Sequence, residues 1–426
     1  MKTTGSWDPY ADFQRHVLSN GLSVYHSRWD RQWLKVGFVV HSGSFADVEG
    51  KEGTAHFVEH MVSKNIKGAS RKEAELFFRR MGGDAMFGST GPFSTSYWFV
   101  IPAKAEVLQK ALEIFGDMLI GGNNFERYLE RERNVILCEF GSRFPFGFMY
   151  ELYELHKRRV LYDGLTMQFY KGNLGDKETI PLITKKDLMQ FYATNYVPQN
   201  MSVVVVGDLR GEELLKFLNG SAFSKKIKGV RNPLPEKCSV APKPKESEHV
   251  LNISELVSST PANIASYESF VAMPGAYNLK MLELFKVMLS HVLDDEIRQR
   301  FGATYNFGVS MADYIQVREM RIGGRISPSI MENIGEIIRS GLLHLKKKRS
   351  LFRNLRIAKL NRYLLLDING HILIKNVMDD LEIYHRIISL REEIELIEAV
   401  SFGELCDLAD YVADASNRWT LIENPD

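Results

Sequence analysis

Two histidines and a glutamate lie close together near residue 60. From Gly53 to Val62 the chain has no proline and no further glycine, so it can form one continuous helix. Residues four apart on a helix lie one turn above each other, so His56 and His60 can direct their imidazoles at one point. Neutral imidazole suits zinc, and Glu59, beside His60, is placed to accept a proton from an attacking water. The motif predicts a zinc site with a general base.

The same three residues have a plainer interpretation. A histidine on an apolar helix face is usually an ordinary buried residue. Two histidines four apart with an intervening acid also arise by chance in short motifs. On this motif alone, a zinc site and a chance arrangement both stay open.

A third ligand is needed, because a catalytic zinc normally has three protein ligands and a water. Glu132 and Glu139 are seven residues apart, two helical turns, and so share one face of a predicted helix. Apolar positions such as Val135 and Ile136 would bury part of that helix, and an acid at the edge of a buried face needs a cationic partner. Solvated charges on a helix rich in Arg and Glu are the alternative, and spacing does not decide between them.

The elements that must position these residues alternate between strands and helices. Apolar and aromatic runs bounded by turn residues predict strands, and helical periodicity predicts helices. The predicted strands are 34–41, 94–101 and 201–206, and the predicted helices are 53–64, 70–81 and 185–196. From Lys225 to Lys245 the chain is basic, holds four prolines and lacks apolar periodicity, which is typical of an exposed linker. We therefore predict an N-terminal zinc-binding domain (1–222), a linker (223–246) and a C-terminal domain (247–426).

The two domains end alike. A capping-box pattern at Thr184 recurs at Ser401, and Asn200 before a strand recurs as Asn417, so both pairs are 217 residues apart (401 less 184, 417 less 200). A constant separation suggests duplication of one design. The predicted fold class is α+β, with two similar domains, each a mainly antiparallel sheet packed with helices.

These segments resemble the pitrilysin family of metallopeptidases, family M16. H-x-x-E-H is the inverzincin signature, and Gly53–Met61 is similar to the family's metal helix. Glu132–Glu139 resembles the family's E-R-x-V-I-x-x-E segment. The resemblance implies one Zn²⁺ per chain held by His56, His60 and Glu139, with Glu132 as a supporting acid.

A second resemblance lies in the C-terminal half, where Ile297–Tyr305 is similar to the family's L-R-x-x-x-G-L-x-Y element. It implies that Arg298 and Tyr305 bind the substrate backbone and stabilise the tetrahedral intermediate. Judged by residue type alone, Arg298 would be a surface charge and Tyr305 a strand aromatic.

The family also implies a substrate and partners. Its members hold peptides or unfolded polypeptides as an added edge strand inside a closed chamber, here predicted near Phe93–Phe99. One departure concerns the Asn-Ala pair of the family, which aligns with Phe87 and Gly88, so an amide that helps hold substrate is replaced by Phe87. Members of this length usually pair. A homodimer is the simplest expectation, and a heterodimer with a related subunit stays open.

Composition excludes other classes. With 54 basic and 53 acidic residues the net charge is +1, so nucleic acid is not an expected partner. Three dispersed cysteines indicate a reducing compartment, and the longest apolar runs are too short for a membrane span. We predict a cytoplasmic protein. Two alternatives remain, a non-catalytic subunit on the same fold and a non-proteolytic zinc hydrolase. Loss of a ligand would mark the first, and the Arg298/Tyr305 match disfavours the second.

Overall fold

The computed structural model divides the chain into two compact units, each with one β-sheet and packed helices. It describes residues 8–122, 125–143, 173–175, 177–234, 236–237, 239, 241, 243–244, 248–252, 265–299, 302, 307–313, 317–363 and 370–424. Both sheets are mainly antiparallel. The predicted α+β class with two similar domains is therefore confirmed.

The sheet of the first unit has six strands in the order β1-β2-β6-β3-β5-β4. Its strands are β1 Gln14–Val17, β2 Ser23–Arg28, β3 Trp33–Val40, β4 Asp84–Thr90, β5 Thr95–Pro102 and β6 Met201–Gly207. Only the pairing of β2 with β6 is parallel. On β3, Leu34, Val36 and Phe38 point into the core of the unit, because alternate residues of a strand face opposite sides.

Twelve α-helices lie within the described residues. They are α1 Thr54–Val62, α2 Arg71–Arg80, α3 Ala105–Ile120, α4 Leu129–Arg143, α5 Lys185–Asn195, α6 Gly211–Asn219, α7 Leu279–Leu293, α8 Ile334–Leu345, α9 Arg349–Tyr363, α10 Gly370–Tyr384, α11 Leu390–Glu398 and α12 Phe402–Ala413. The three predicted helices and three predicted strands are present, each shifted by at most two residues. Among the described helices, none is both long and apolar enough to cross a membrane.

The second sheet repeats the first. Its strands are β7 Glu248–Asn252, β8 Ala265–Pro274, β9 Gly308–Asp313, β10 Val317–Ile326 and β11 Arg418–Asn424, in the order β7-β11-β8-β10-β9. Only β7 and β11 are parallel, so the five strands match β2-β6-β3-β5-β4 in order and direction. Both capping boxes form, at Thr184 before α5 and at Ser401 before α12. The predicted duplication is present in the topology.

The domain boundaries differ from the prediction in one segment. Residues 370–390, predicted to belong to the C-terminal domain, are part of the first unit. There α10 packs on β3 and β6, with the Met378 side chain over Gly37. Gly37 lies on the sheet face opposite the core residues of β3, and that face needs a cover. Periodicity predicts an apolar helix face, but it does not tell which sheet the helix will cover.

The predicted linker is not wholly exposed either. The Arg231 guanidinium donates to the backbone oxygens of Gln199 and Met201, and the Asn232 side-chain amide donates to the backbone oxygen of His41. Buried carbonyl groups at the end of β3 and the start of β6 thus find their donors in the linker. Its first part is anchored to the first unit, which extends to Leu234.

The prediction that Phe93–Phe99 forms the edge strand for a bound peptide is also wrong. The segment Phe93–Phe99 falls largely in β5, which is hydrogen-bonded to β3 on one side and to β4 on the other. A strand with both edges paired has no free backbone groups to offer a peptide. Among the described strands, β4 is the outermost at this end of the sheet.

The start of α1 is held by a residue that sequence analysis missed. Gly53, before the first turn, has φ of 98°, a left-handed conformation that favours glycine. The backbone N–H groups of Gly53 and Ala55 donate to the two carboxylate oxygens of buried Asp47, at 2.7 and 2.8 Å. An acid at a helix N-terminus satisfies unpaired donors and complements the helix dipole. Asp47 lies six residues before Gly53, outside the usual capping spacing.

Asp47→Ala should lower the free energy of unfolding of the first unit by about 1–3 kcal/mol, because two buried N–H groups lose their acceptor. Urea denaturation followed by circular dichroism measures the loss. The matched control is Asp208→Ala, which removes an exposed carboxylate paired with Arg28 and should change stability by less than about 1 kcal/mol. Equal losses in the two variants would contradict the capping role.

Candidate metal centre

Helix α1 buries polar side chains together with apolar ones. His56 is 5% exposed and Glu59 is 7% exposed, and of the nine residues of this helix only His60 is not fully buried. Buried ionisable groups are costly unless a partner compensates them. The partners come from α4, which packs against α1.

Three potential ligand atoms converge between these two helices. The Glu139 Oε2 atom lies 3.4 Å from His60 Nε2 and 3.7 Å from His56 Nε2. Four ligands at the zinc distances of about 2.0–2.1 Å form a tetrahedron whose edges are roughly 3.3–3.4 Å. The two imidazoles are 4.6 Å apart between ring centroids and inclined at 76°. Two imidazole nitrogens and one carboxylate oxygen at this spacing therefore fit a zinc ion.

Glu132 contacts the side of the His60 ring that faces away from Glu139. Its carboxylate, 2% exposed, contacts His60 Nδ1 at 3.4 Å and Lys64 Nζ at 3.1 Å. Burial alone would raise the pKa of Glu132, but hydrogen bonds from His60 and Lys64 outweigh it and hold that pKa below its usual value. An ionised carboxylate at Nδ1 favours the tautomer that leaves Nε2 available toward Glu139.

Glu59 lies on α1 with the two histidines, whereas Glu132 and Glu139 lie on α4. Its Oε2 is 3.8 Å from His56 Nε2, and one carboxylate oxygen of Glu59 groups with His56 and His60 within 4.8 Å. Burial raises the pKa of Glu59 to about 7, against the opposing effect of His60 and Arg71. A carboxyl with a pKa near neutrality is suited to exchange a proton with a reacting group.

The glutamates of the cluster differ in how closely they approach the histidines. Glu139 Oε2 is 3.7 and 3.4 Å from the Nε2 atoms of His56 and His60, whereas Glu59 is 3.8 Å from His56 Nε2 and groups with both histidines within 4.8 Å. Geometry thus favours Glu139 as the ligand and leaves Glu59 for proton transfer. Among the described residues, His56, Glu59 and His60 are the one group of histidine, cysteine and acidic side chains close enough together to hold a metal, and Glu139 adjoins both of its histidines.

Phe87, expected to replace a substrate-binding amide, lies in the core. It is 2% exposed and packs on Phe78 and Phe115, with centroid distances of 6.1 and 5.6 Å. The backbone of Gly88, not the ring of Phe87, is what β4 presents to Glu59. The Phe87 ring therefore presents no side chain to the histidines and glutamates, because a large aromatic side chain is more stable in the core.

The remaining predicted site residues belong to the second half of the chain. Arg298 is exposed, with its guanidinium 3.8 Å from Asp294, in a π-helical segment, Asp294–Gln299, that continues α7. Such segments are frequent at functional sites. Tyr305 lies outside the described residues. The structure brings together His56, Glu59, His60, Glu132 and Glu139, all in the first unit.

Two family models match the sequence. The model described as Insulinase (Peptidase family M16) matches residues 25–142, and the model described as Peptidase M16 inactive domain matches residues 182–351. All five clustered residues fall in the first match. The beta subunit of the mitochondrial-processing peptidase of Bos taurus is 32% identical over 216 residues. That alignment covers 49% of this chain and 41% of the subunit, so less than half of the relative's length is matched.

Solved structures share the fold over nearly the whole chain. A peptidase M16 inactive domain from Pseudomonas fluorescens has a TM-score of 0.79 at 16% identity, covering 97% of this chain and 98% of its own. A protease from Helicobacter pylori has a TM-score of 0.78 at 20% identity, covering 98% and 100%. Identities this low support the fold alone. With both family models matched in sequence and the same fold in solved structures, the chain belongs to peptidase family M16.

Proposed function

We propose that this chain is a zinc-dependent endopeptidase that cleaves peptides or unfolded polypeptides. The observation that carries the proposal is the approach of Glu139 to both His56 and His60, with a separate buried carboxylate, Glu59, beside them. A metal site and a base that does not occupy the metal are the two parts that hydrolysis of an amide bond requires.

Each side chain has one task in this mechanism. His56, His60 and Glu139 hold the zinc, which when bound supplies a Lewis acid that polarises the peptide carbonyl and makes water more acidic. Glu59 accepts the proton of the attacking water and passes it to the leaving amine. Glu132, with Lys64 behind it, keeps the His60 ring in the orientation that directs Nε2 inward.

The outer edge of β4, which pairs with no other strand of the described residues, supports an extended peptide as substrate. Unpaired backbone groups on an edge strand can add a further strand, and this gives affinity with little dependence on sequence. Gly88 of that strand adjoins Glu59, so a peptide bound there would lie near the proposed base. From the family resemblance, Arg298 and Tyr305 are proposed to bind the substrate backbone.

A second candidate is a partner-dependent or non-catalytic subunit. It is favoured by the match of residues 182–351 to a model described as an inactive domain, and by the naming of the bovine relative as a beta subunit. The presence of His56, Glu59, His60 and Glu139 in the other match favours catalysis instead. Cleavage by the purified chain alone would decide between the two.

Alanine at His56 or His60 should abolish zinc binding, and Glu139→Ala should weaken it strongly, because a three-ligand site then loses one ligand. Glu132→Ala should weaken zinc binding by about 10–100-fold through loss of the His60 orientation. Metal analysis after dialysis against graded chelator measures all four. Glu130→Ala is the control, since it removes an exposed acid from the same helix. Full zinc in Glu139→Ala would mean that the third ligand is another residue.

Glu59→Gln should retain zinc and lose activity. The substitution keeps the size of the side chain but removes the proton acceptor, so cleavage should fall by about 10²–10⁴-fold. Turnover of a mixed peptide library, with and without chelator, provides the measurement, and Glu130→Gln is the matched control. Undiminished turnover in Glu59→Gln would remove Glu59 from the mechanism.

A homodimer is the proposed assembly. Light scattering of the purified chain should give twice the chain mass, because most soluble oligomers are symmetric and two-fold dimers are the commonest. A monomeric mass combined with absent cleavage, restored by a related subunit, would favour the heterodimer.

A further inference from the structure

Strand β4 lies against the Glu59 carboxylate at Gly88. A methyl group at Gly88 would overlap the Glu59 carboxylate and the methylene next to it. Because Glu59 is only 7% exposed, its side chain has little free volume into which to move. The absence of a side chain at Gly88 is therefore what permits the present position of the carboxylate.

A bulge in β4 creates this contact. Met86 pairs with Trp98 and Ser89 pairs with Ser96, so two residues of β4, Phe87 and Gly88, oppose the single residue Tyr97 of β5. Such bulges redirect side chains and are frequent beside active sites. Here the bulge turns the Phe87 ring into the core and leaves the bare backbone of Gly88 facing Glu59.

Thr90 makes a second contact two residues further along. Its hydroxyl oxygen is buried and makes no hydrogen bond of normal geometry within the described part of the chain, yet it lies within interaction range of the Glu59 carboxylate. A buried hydroxyl without a partner is unfavourable. The Glu59 carboxylate is the acceptor to which the Thr90 hydroxyl can donate.

We propose that the bulge of β4 positions Glu59 through Gly88 and Thr90, so that these two act as positioning residues for the base. The catalytic consequence rests on the proposed function, whereas the contact itself does not. Since β4 is also the outermost described strand of its sheet, the same strand would receive the peptide and position the base.

Gly88→Ala should lower kcat by roughly ten- to hundredfold, as expected for a misplaced catalytic group, with KM and zinc content unchanged. Gly308→Ala controls for an added methyl group in an outer strand, because Gly308 lies in β9 and a methyl there would meet nothing within 4 Å. Gly82→Ala controls for backbone strain, because Gly82 has φ of 72° and nothing within 4 Å of an added methyl. Thr90→Val should also lower kcat, and Thr90→Ser, which keeps the hydroxyl, should retain it. Unchanged kcat in Gly88→Ala would overturn the proposal.

A stability cycle tests the contact without relying on activity. Gly88→Ala should lower the unfolding midpoint of the metal-free protein when Glu59 is present. In the Glu59→Ala background the overlapping atoms are gone and only the backbone strain of alanine at a φ of 156° remains, so the same substitution should have a smaller effect, and this double variant should fold even if Gly88→Ala alone does not. Equal shifts in both backgrounds would refute the contact. A wild-type protein that cleaves no peptide would refute the proposed function, while the cycle still decides whether Gly88 holds Glu59.

Discussion

Ionisable side chains buried between α1 and α4 are the constraint on which the rest of the first unit depends. Helix α1 is enclosed almost throughout, so His56 and Glu59 cannot be hydrated as they would be on a surface. Desolvation of this kind is tolerated when opposite charges and hydrogen bonds compensate it. Glu139 faces both histidines, and Glu132 links His60 to Lys64. A divalent cation would complete the compensation, because three carboxylates lie near the two imidazoles.

The surroundings of α1 serve this arrangement. Asp47 satisfies the first N–H groups of the helix, and the left-handed Gly53 lets the chain enter it directly from the preceding turn. The bulge of β4 places the backbone of Gly88, rather than a side chain, against Glu59. The Phe87 ring lies in the core and packs on Phe78 and Phe115, which fixes β4 relative to α3. Helix start, bulge and core packing thus act on the same few side chains.

The second unit has the same arrangement of strands but lacks buried ionisable side chains at the corresponding helix. Its five strands repeat the order of the first sheet, and α7 follows β8 as α1 follows β3. Yet the buried face of α7 is apolar, with residues such as Leu282, Phe285 and Leu289. Within the described residues no metal-ligating group is found there. The two units therefore share a fold, but the buried face of α1 carries polar side chains and the buried face of α7 is apolar.

Local sequence patterns predicted several helices and strands and the spacing of the two histidines. The i, i+4 spacing of His56 and His60, the capping boxes at Thr184 and Ser401, and the apolar alternation of β3 follow from helix and strand periods, which depend on neighbouring residues alone. Spacing left open which acid of α4 meets the histidines. The family resemblance indicated Glu139, and the packing of α4 on α1 is what brings its carboxylate to both rings. Tertiary structure also decided that α10 covers the first sheet, that β5 is an inner strand, and that Phe87 enters the core while Gly88 meets Glu59. These outcomes depend on which distant segments come together, and local periodicity carries no information about that choice.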